Sequence, residues 1–288
     1  MSWLVGVDVG GTFTDFFAYN SEGGARLYKR PSTPDNPAEA IVLGLRELCD
    51  EFGIDPADTN RLCHGTTVAT NALIQRRGGK VAMITTKGFR DLLEIGRQTR
   101  PRMFDLQADH PPPLVPRQYR LELNERILAS GEVEIALTDA EVNAIVDQVM
   151  EADAESCAVC LLFAFIRPEH EQRIAQALRQ RNPEISVSLS SEVHPEFREY
   201  ERFSTTVLNA YLQPVIERYL RYLETEIAVL MPQAQVGIYQ SSGGLMSLER
   251  SRSFPVRTAL SGPAAGVLGA VQAGREAGRG NVITLDMG

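Results

Sequence analysis

The residues whose types and spacing are best suited to chemistry lie close to the amino terminus. A short apolar run leads into an aspartate, two glycines and two threonines, which are Asp8, Gly10, Gly11, Thr12 and Thr14. Glycines let backbone N–H groups approach anionic oxygens, because no side chain is in the way. Threonine hydroxyls supply further donors, and the carboxylate of Asp8 can hold a hydrated Mg²⁺ that shields phosphate charge. The segment therefore predicts a phosphate-binding turn.

An apolar run followed by Asp-x-Gly occurs again at the other end of the sequence. Residues 282–288 read VITLDMG. Proteins that clamp ATP between two similar lobes need one such turn from each lobe, so Asp286 and Gly288 are candidates for a second phosphate turn. The alternative for both motifs is a tight turn after a strand, because Asp and Gly are common turn residues.

His64 is a candidate for proton transfer. It stands where a short strand meets a helix predicted over 67–75, and it is followed by Gly65, Thr66 and Thr67. A histidine there could act as a proton donor near neutral pH. It could also be a structural residue with a hydrogen-bonded ring, and the threonines could cap the helix or meet an anionic group.

Three further segments carry polar groups with weaker indications. The arginines at the start of a proline-rich loop are Arg97, Arg100 and Arg102. They could bind a carboxylate or phosphate, or form a solvated surface. Asp109 and His110 lack a third ligand at metal spacing, which favours a loop without a metal. Ser261 opens a Gly- and Ala-rich helix whose small residues allow close packing or the approach of a nucleotide.

Hydrophobic patterns predict the elements that position these residues. Three short apolar segments predict a meander of strands at 4–9, 13–19 and 26–29. Apolar residues at helical spacing follow over 38–52, and strands and helices alternate beyond them. The sequence therefore predicts an α/β fold.

The same patterns suggest internal boundaries. Five prolines between 101 and 116 predict an irregular loop that crosses between lobes. A long helix over 198–230, kinked or restarted at Pro214, precedes the last predicted strand, 282–285. The expected divisions are a first lobe over 1–116, an α/β subdomain over 117–197 and a final segment over 198–288.

Composition excludes several classes of protein. The 288 residues are 43% hydrophobic and 23% charged, which is ordinary for a globular protein and unlike a disordered or fibrous one. Acidic residues outnumber basic ones, 37 against 29, so no positive field gathers a nucleic-acid backbone. The longest apolar run, 157–166, is shorter than the roughly 20 residues of a membrane-spanning helix, and no secretory leader follows Met1. We therefore expect a cytoplasmic protein with no nucleic-acid or membrane partner.

Cys157 and Cys160 have the CxxC spacing of some redox and metal sites. They lie in the apolar run, where side chains three apart on a strand face opposite sides of the sheet. The sequence therefore favours two core thiols over redox or metal chemistry.

Motifs of several other enzyme classes are absent from the sequence. It has no GxxxxGK[ST] P-loop and no GxGxxG dinucleotide turn. It also has no GxSxG elbow and no HExxH helix, which argues against a direct nucleophilic amidase or a zinc hydrolase. An ATP-activated route remains open.

Five long, ordered segments closely resemble the hydantoinase A/5-oxoprolinase family. They are VGVDVGGTFTD (5–15), HGTTVATNALIQRRG (64–78), TTKGFRDLLEIGRQTRP (85–101), EVHPEFREYERFSTTVLNAYLQP (192–214) and SGPAAGVLGA (261–270). That family belongs to the actin-like superfamily of two-lobed ATPases with ribonuclease-H-like cores. It includes N-methylhydantoinase, 5-oxoprolinase and the related acetone carboxylase subunit. These enzymes use ATP on a cyclic amide or a ketone and usually work with a B-type partner subunit.

The resemblance implies an actin-like, ribonuclease-H-like ATPase lobe with an inserted or following α/β subdomain and a truncated second lobe. By the resemblance, the first phosphate loop consists of Gly10, Gly11, Thr12 and Thr14. Asp8 and Asp286 would face the metal-bound phosphates, which makes ATP and Mg²⁺ the implied cofactors.

The activity implied is ATP-dependent hydrolysis of a cyclic amide of the hydantoin or 5-oxoproline type. A ring amide is a poor electrophile, and phosphate transfer to its oxygen creates a good leaving group before water opens the ring. The alternatives are an acetone-carboxylase-like subunit and a non-catalytic lobe that only binds a partner. A B-type hydantoinase subunit or domain and an oligomeric assembly are the implied partners. Because the sequence stops inside the second motif, ATP turnover by these 288 residues alone is not expected.

Overall fold

The structure is a computed structural model that describes residues 2–22, 24–33, 36–105 and 107–285. The described strands are β1 (Trp3–Val9), β2 (Phe13–Asn20), β3 (Gly24–Pro31), β4 (Thr59–Gly65), β5 (Val81–Thr86), β6 (Arg120–Leu123), β7 (Arg126–Ile127), β8 (Val133–Ile135), β9 (Ser156–Cys160), β10 (Ser186–Leu189), β11 (Gln235–Tyr239) and β12 (Leu245–Met246). The α-helices are α1 (Pro37–Phe52), α2 (Val68–Ile74), α3 (Leu92–Ile95), α4 (Asp139–Glu151), α5 (Glu169–Arg181), α6 (Ser190–Val193), α7 (Glu199–Leu230), α8 (Leu248–Ser253) and α9 (Ser261–Glu276).

The chain forms two compact units, and the second is inserted in the sequence of the first. The first unit comprises residues 1–77 and 215–288, and the second comprises residues 78–214. Helix α7 therefore contributes to both units, and the division falls directly after Pro214, which lies inside the helix without ending it.

The first unit is built on a mixed sheet of six strands in the order β12-β11-β4-β1-β2-β3. Strands β1, β2 and β3 form the predicted antiparallel meander. Alternation in β1 and β2 buries apolar side chains such as Val5, Val7 and Phe16 on one face. Helix α1 contacts these strands and buries Ile41 and Leu45.

Strands β4 and β11 run parallel to β1 in this sheet. The carboxyl ends of β1, β4 and β11 therefore meet at one edge, because parallel strands point the same way. Helix α2 starts three residues after β4, at Val68, which places a strand-to-helix connection at the edge where the predicted phosphate turn follows β1.

The second unit is built on an all-parallel sheet in the order β10-β9-β5-β6. Its apolar core includes Ile84 and Val159 from the strands, Ile145 from α4 and Ile174 from α5. Thr138 is the N-cap of α4, and its hydroxyl accepts a hydrogen bond from the Glu141 backbone N–H at 3.2 Å.

The two units do not coincide with the boundaries expected at residues 116 and 197. Strand β5 pairs with β6 and β9, so residues from 78 onward pack in the second unit, and the proline-rich segment 101–116 lies inside that unit. Strand β11 returns to pair with β4, so it extends the first sheet and does not begin a new lobe. These pairings join residues far apart in sequence and leave no local signal.

Two strand predictions also differ from the structure. The run that starts at Cys157 leaves the strand after Cys160, and residues 162–166 form a turn. Residues 282–285 form no strand, and Ile283 and Leu285 are 99% and 88% exposed. Alternating apolar residues make a strand only when a neighbouring backbone pairs with them. Within the described ranges, no helix has both the length and the apolar character needed to cross a membrane.

Candidate functional site

The loop between β1 and β2 is a tight turn that leaves little room for a side chain at its first position. The backbone N–H of Gly10 donates a 2.9 Å hydrogen bond to the Phe13 carbonyl oxygen. A Cβ atom at Gly10 would lie 3.0 Å from that same oxygen. A Cβ atom at Gly11 would meet no heavy atom within 4 Å, and Gly11 and Thr12 are exposed. The tip of the loop therefore offers uncovered backbone to a ligand.

Ser32, which follows β3, supports this loop from the side of the protein. Its backbone N–H donates to the Thr12 carbonyl oxygen at 2.9 Å, and its hydroxyl donates to the Gly10 carbonyl oxygen at 2.8 Å. The Thr14 hydroxyl lies 3.0 Å from the Ser32 hydroxyl, and Thr14 is fully buried. Since the Ser32 proton goes to Gly10, Thr14 donates to Ser32. The structure thus places the Thr14 hydroxyl on the buried side of the loop, because alternation along β2 turns it inward.

Sequence reasoning missed Ser32. The register of the β2–β3 hairpin pairs Phe13 with Pro31, which brings the residue after Pro31 beside the loop. The predicted meander implies that β2 and β3 pair, but the apolar pattern alone does not fix which residues face each other.

Asp8 is exposed and lies between Asp15 of β2 and Gly65 of β4 in the sheet. A Cβ atom at Gly65 would come 3.2 Å from Oδ1 of Asp8. The missing side chain at Gly65 therefore leaves room for the Asp8 carboxylate at the carboxyl ends of β1 and β4.

The segments around Thr66 and Ser261 meet at the same edge. The Thr67 hydroxyl donates to the Val9 carbonyl oxygen at 3.2 Å, and the Thr66 hydroxyl accepts from the Val68 backbone N–H at 3.2 Å. The Ser261 hydroxyl donates to the Thr66 carbonyl oxygen at 3.3 Å, which ties the start of α9 to this connection. The N-cap residue of α2 is Thr67, which makes no side-chain cap bond because its hydroxyl donates to Val9. The bond that Thr66 accepts comes from Val68, the first residue of the helix.

His64 is fully buried, and both ring nitrogens have partners. Nδ1 donates to the Val7 carbonyl oxygen at 3.3 Å, so Nε2 accepts the hydroxyl proton of Tyr219. Burial lowers the pKa of His64 from 6.5 to about 4 and raises the pKa of Tyr219. A neutral, enclosed ring of this kind fits the structural alternative, and a role of His64 in proton transfer stays a prediction.

Two of the predicted phosphate residues, Asp286 and Gly288, lie outside the described residues. Across ranges 2–22, 24–33, 36–105 and 107–285, no group of three or more His, Cys, Asp or Glu side chains could hold a metal ion.

The weaker candidates Arg97, Asp109 and His110 come together in the second unit, on the lining of a cavity of about 970 Å³. Arg97 forms an ion pair with Glu201. His110 Nε2 donates to the Thr99 carbonyl oxygen at 2.7 Å. The sequence did not indicate this convergence, because the proline-rich segment has no periodicity that fixes its path.

All four cysteines are free thiols. Cys157 and Cys160 are fully buried, and burial raises the pKa of both thiols. The structure agrees with the expectation of two core thiols.

Family models match nearly the whole chain. Residues 4–182 match the hydantoinase/oxoprolinase N-terminal region, and residues 202–288 match the hydantoinase/oxoprolinase family. Caprolactamase subunit alpha from Pseudomonas jessenii is 38% identical over 294 residues, which cover 99% of this chain and 42% of the relative. 5-Oxoprolinase 1 from Arabidopsis thaliana is 33% identical over 296 residues, which cover 91% of this chain and 23% of the relative.

Solved structures agree with these matches. The crystal structure of the ATP-dependent caprolactamase from Pseudomonas jessenii superposes with a TM-score of 0.89 at 36% identity, over 99% of this chain and 42% of that chain. The nucleotide-free structure of acetone carboxylase, from work on ATP-dependent acetone carboxylation, gives a TM-score of 0.84 at 26% identity, over 96% of this chain and 41% of that chain. The sequence thus spans less than half the length of these relatives. The chain therefore belongs to the hydantoinase/oxoprolinase family.

Proposed function

We propose that the chain is the ATP-using part of an A-type subunit that hydrolyses a cyclic amide at the expense of ATP. The observation that carries the proposal is the β1–β2 loop, where exposed backbone at Gly11 and Thr12 adjoins the exposed carboxylate of Asp8. Relatives named as an ATP-dependent caprolactamase and a 5-oxoprolinase support this choice of reaction.

We further propose that the first unit is the first lobe of an actin-like ATPase. Three antiparallel strands followed by two parallel ones, β4 and β11, support a ribonuclease-H-like topology. In this proposal the second unit is the inserted α/β subdomain. Asp286 and Gly288 would begin the matching turn of the second lobe.

The residues at the β1–β2 loop fit a nucleotide phosphate. The open space above Gly11 admits an oxygen to the backbone, and Ser32 holds the loop in place through its bonds to Gly10 and Thr12. Mg²⁺ bound to nucleotides usually keeps several waters and takes one or two protein carboxylates. Asp8, with Asp286 as the second proposed carboxylate, suits that mode and would hold the ion that neutralises phosphate charge.

In the proposed reaction, the carbonyl oxygen of the cyclic amide takes the terminal phosphoryl group of ATP, and ADP leaves. Water adds to the activated carbon, and the ring C–N bond breaks while the nitrogen takes a proton. The acyl phosphate that remains is hydrolysed by a second water to a carboxylate and inorganic phosphate. The chain's own contribution is alignment and charge neutralisation at the phosphates, which is the main protein role in phosphoryl transfer.

His64 takes a supporting place in this proposal. Through Val7 and Tyr219 it fixes the end of β1 to the neighbouring helix α7, directly before Asp8. Proton transfer to the ring nitrogen is left to groups outside the described site, including those of a B-type partner subunit or domain.

The experiment that tests the proposal measures ADP release by the complete protein together with any subunit that copurifies with it. 5-Oxoproline, hydantoins and simple lactams are compared with acetone plus bicarbonate as acceptors. Stimulation by a cyclic amide supports the proposal and names the substrate class. Stimulation only by acetone and bicarbonate would instead support a carboxylase. The likeness to acetone carboxylase favours that as the second candidate function. Capture of a partner subunit without binding of Mg-ATP supports a non-catalytic lobe instead.

A further inference from the structure

The second unit has its own ligand-binding geometry, independent of the phosphate loop. Its parallel strands follow one another in the chain as β5, β6, β9 and β10, but the sheet order is β10-β9-β5-β6. After β5, the chain first adds β6 on one side of β5 and later adds β9 on the other side. The direction in which strands are added therefore reverses between β5 and β9, and this is the switch point of the sheet. In open α/β sheets, ligands bind outside the carboxyl ends of the strands at such a point.

A buried hydrogen-bond chain fixes this edge. The Leu162 backbone N–H donates to the Thr86 hydroxyl at 3.1 Å, so the Thr86 proton goes to Oε1 of Glu125. Nδ1 of His170 donates to Oε2 of Glu125 at 2.8 Å, and the Glu125 side chain is fully buried. These bonds join the ends of β5 and β9 to the segment after β6 and make the edge rigid.

Two backbone pairings place charged residues on one cavity lining beside this chain of bonds. Thr86 pairs with Leu123, and the Lys87 backbone N–H donates to the Leu123 carbonyl oxygen at 2.9 Å, so Lys87 lies beside Asn124. Arg126 of β7 pairs with Ile135 of β8.

These side chains surround a cavity of about 270 Å³, with Lys87, Arg126 and Glu134 as its exposed or half-buried charges and Asn124 as its amide. The volume of this cavity can be compared with the volumes of known ligand sites. It is slightly below the roughly 300–1,000 Å³ of sites for drug-sized ligands. The cavity is therefore matched to a small molecule.

The charges on the cavity define the chemistry of that molecule. In the part of the chain that the structure describes, Lys87, Arg126 and Glu134 form no ion pair, and the guanidinium of Arg126 lies 5.1 Å from the centre of the Phe89 ring. Two cationic groups suit a carboxylate, and one carboxylate with a neighbouring amide suits an ammonium group. The buried Glu125 already has its partners, so it supports the site and does not compete for the ligand.

We propose that this cavity binds a small zwitterion, an amino acid, with its carboxylate toward Lys87 and Arg126 and its ammonium toward Glu134. The site belongs to the second unit and does not rest on the proposed function. Only the choice of some probes does, because opening a cyclic amide yields an amino acid.

Titration calorimetry on the complete protein, without ATP or cyclic amide, tests the proposal. The probes are glycine, L-glutamate and 6-aminohexanoate, with acetate and butylamine as ligands that carry only one of the two charges. At least one amino acid should bind more tightly than both single-charge ligands, by about tenfold, because each lost charge-assisted hydrogen bond removes at least that factor. No heat from any amino acid, or equal binding of acetate, would overturn the zwitterion site. Since ADP release is assayed separately, failure here leaves the proposed function untouched.

Variants on opposite ends of one strand supply the matched control. Lys87 follows β5 at the carboxyl edge, whereas Lys80 precedes β5 at the amino edge. Lys87→Met should weaken amino-acid binding by about tenfold, Glu134→Gln should weaken it less, and Lys80→Met should leave it unchanged within about twofold. Equal losses in Lys87→Met and Lys80→Met, or none in Lys87→Met, would contradict the assignment. Lys87 and Glu134 are exposed, so both variants should fold.

Discussion

The two sheets of the molecule both present polar groups at the carboxyl ends of parallel strands, but they do so with different atoms. At the edge of the first sheet, the loop after β1 exposes backbone at Gly11 and Thr12 and holds it with Ser32 behind. At the edge of the second sheet, a buried Thr86–Glu125 bond supports exposed side-chain charges such as Lys87.

This difference separates two kinds of recognition. Backbone N–H groups approach a phosphate from several directions and need small residues to do so. Side-chain charges recognise the separate ends of a small ion through charge-assisted bonds. The comparison therefore predicts that the first edge is sensitive to added side-chain volume and the second to removed charge.

The largest expected effect follows from removing the charge of Asp8. Asp8→Asn should lower ATP turnover by the complete enzyme by about 10²–10³-fold, because a preorganised electrostatic group at the phosphates is lost. The matched control is Asp15→Asn on the strand directly opposite, where the carboxylate is 3.0 Å from Lys29 in an exposed ion pair. Steady-state ADP release and melting temperature are measured for both. Equal turnover in Asp8→Asn and the wild type would remove Asp8 from the phosphate site.

Volume at the loop is the next test of the comparison. Gly11→Ala places a Cβ atom in open space, so it should leave the free energy of unfolding unchanged while raising the KM for ATP by about tenfold if oxygens approach the backbone there. Gly10→Ala places a Cβ atom 3.0 Å from the Phe13 oxygen, so it should cost about 1–3 kcal/mol of stability as well. Denaturant unfolding and ATP kinetics separate the two variants. An unchanged KM in Gly11→Ala argues against phosphate contact at the loop tip.

The strands near the amino terminus could be predicted because their pattern is local. Alternating burial matched the meander of β1, β2 and β3, and helical spacing matched α1, which ends at Gly53 with φ of 64°. The resemblance leaves open whether the α/β subdomain is inserted or follows. The bounds of the insertion could not be predicted, because pairing of β11 with β4 joins residues more than 170 positions apart and depends on the whole sheet.

The candidate site shows the same contrast between residues that a local pattern predicts and residues whose roles depend on distant partners. The glycines and the carboxylate of the loop could be predicted as candidates from their own types and spacing. The roles of Thr14 and His64 depend on Ser32 and Tyr219, which lie 18 and 155 residues away. The residue type and position of His64 allow both a proton donor and a structural residue, and its burial and partners fit the structural one.

The buried state of His64 predicts a pH dependence of stability in the first unit. Its pKa is about 4 when folded against 6.5 ordinarily, so between these values the unfolded state binds more protons. The stability that the neutral His64 ring contributes should therefore be fully present above about pH 6.5. As the pH drops to about 4, the free energy of unfolding should fall by about 3 kcal/mol. Urea unfolding at pH 7 and pH 5 checks this, and His64→Gln should show a flatter profile. The same slope in wild type and variant would contradict a neutral, buried ring.

The smallest effect is expected from the thiols of the second unit. Cys160 ends β9 close to the edge that carries the proposed amino-acid site, yet it and Cys157 are fully buried. Because burial raises the pKa of both thiols, they stay protonated near neutral pH and are poor nucleophiles and poor metal ligands. Substituting both with Ala should leave ADP release and glycine binding unchanged within about twofold while costing about 1–2 kcal/mol of stability through lost packing. Loss of either function in a double variant that still melts cooperatively would give the CxxC pair a chemical role. The carboxyl edge of the second sheet would then depend on thiol chemistry as well as on side-chain charge.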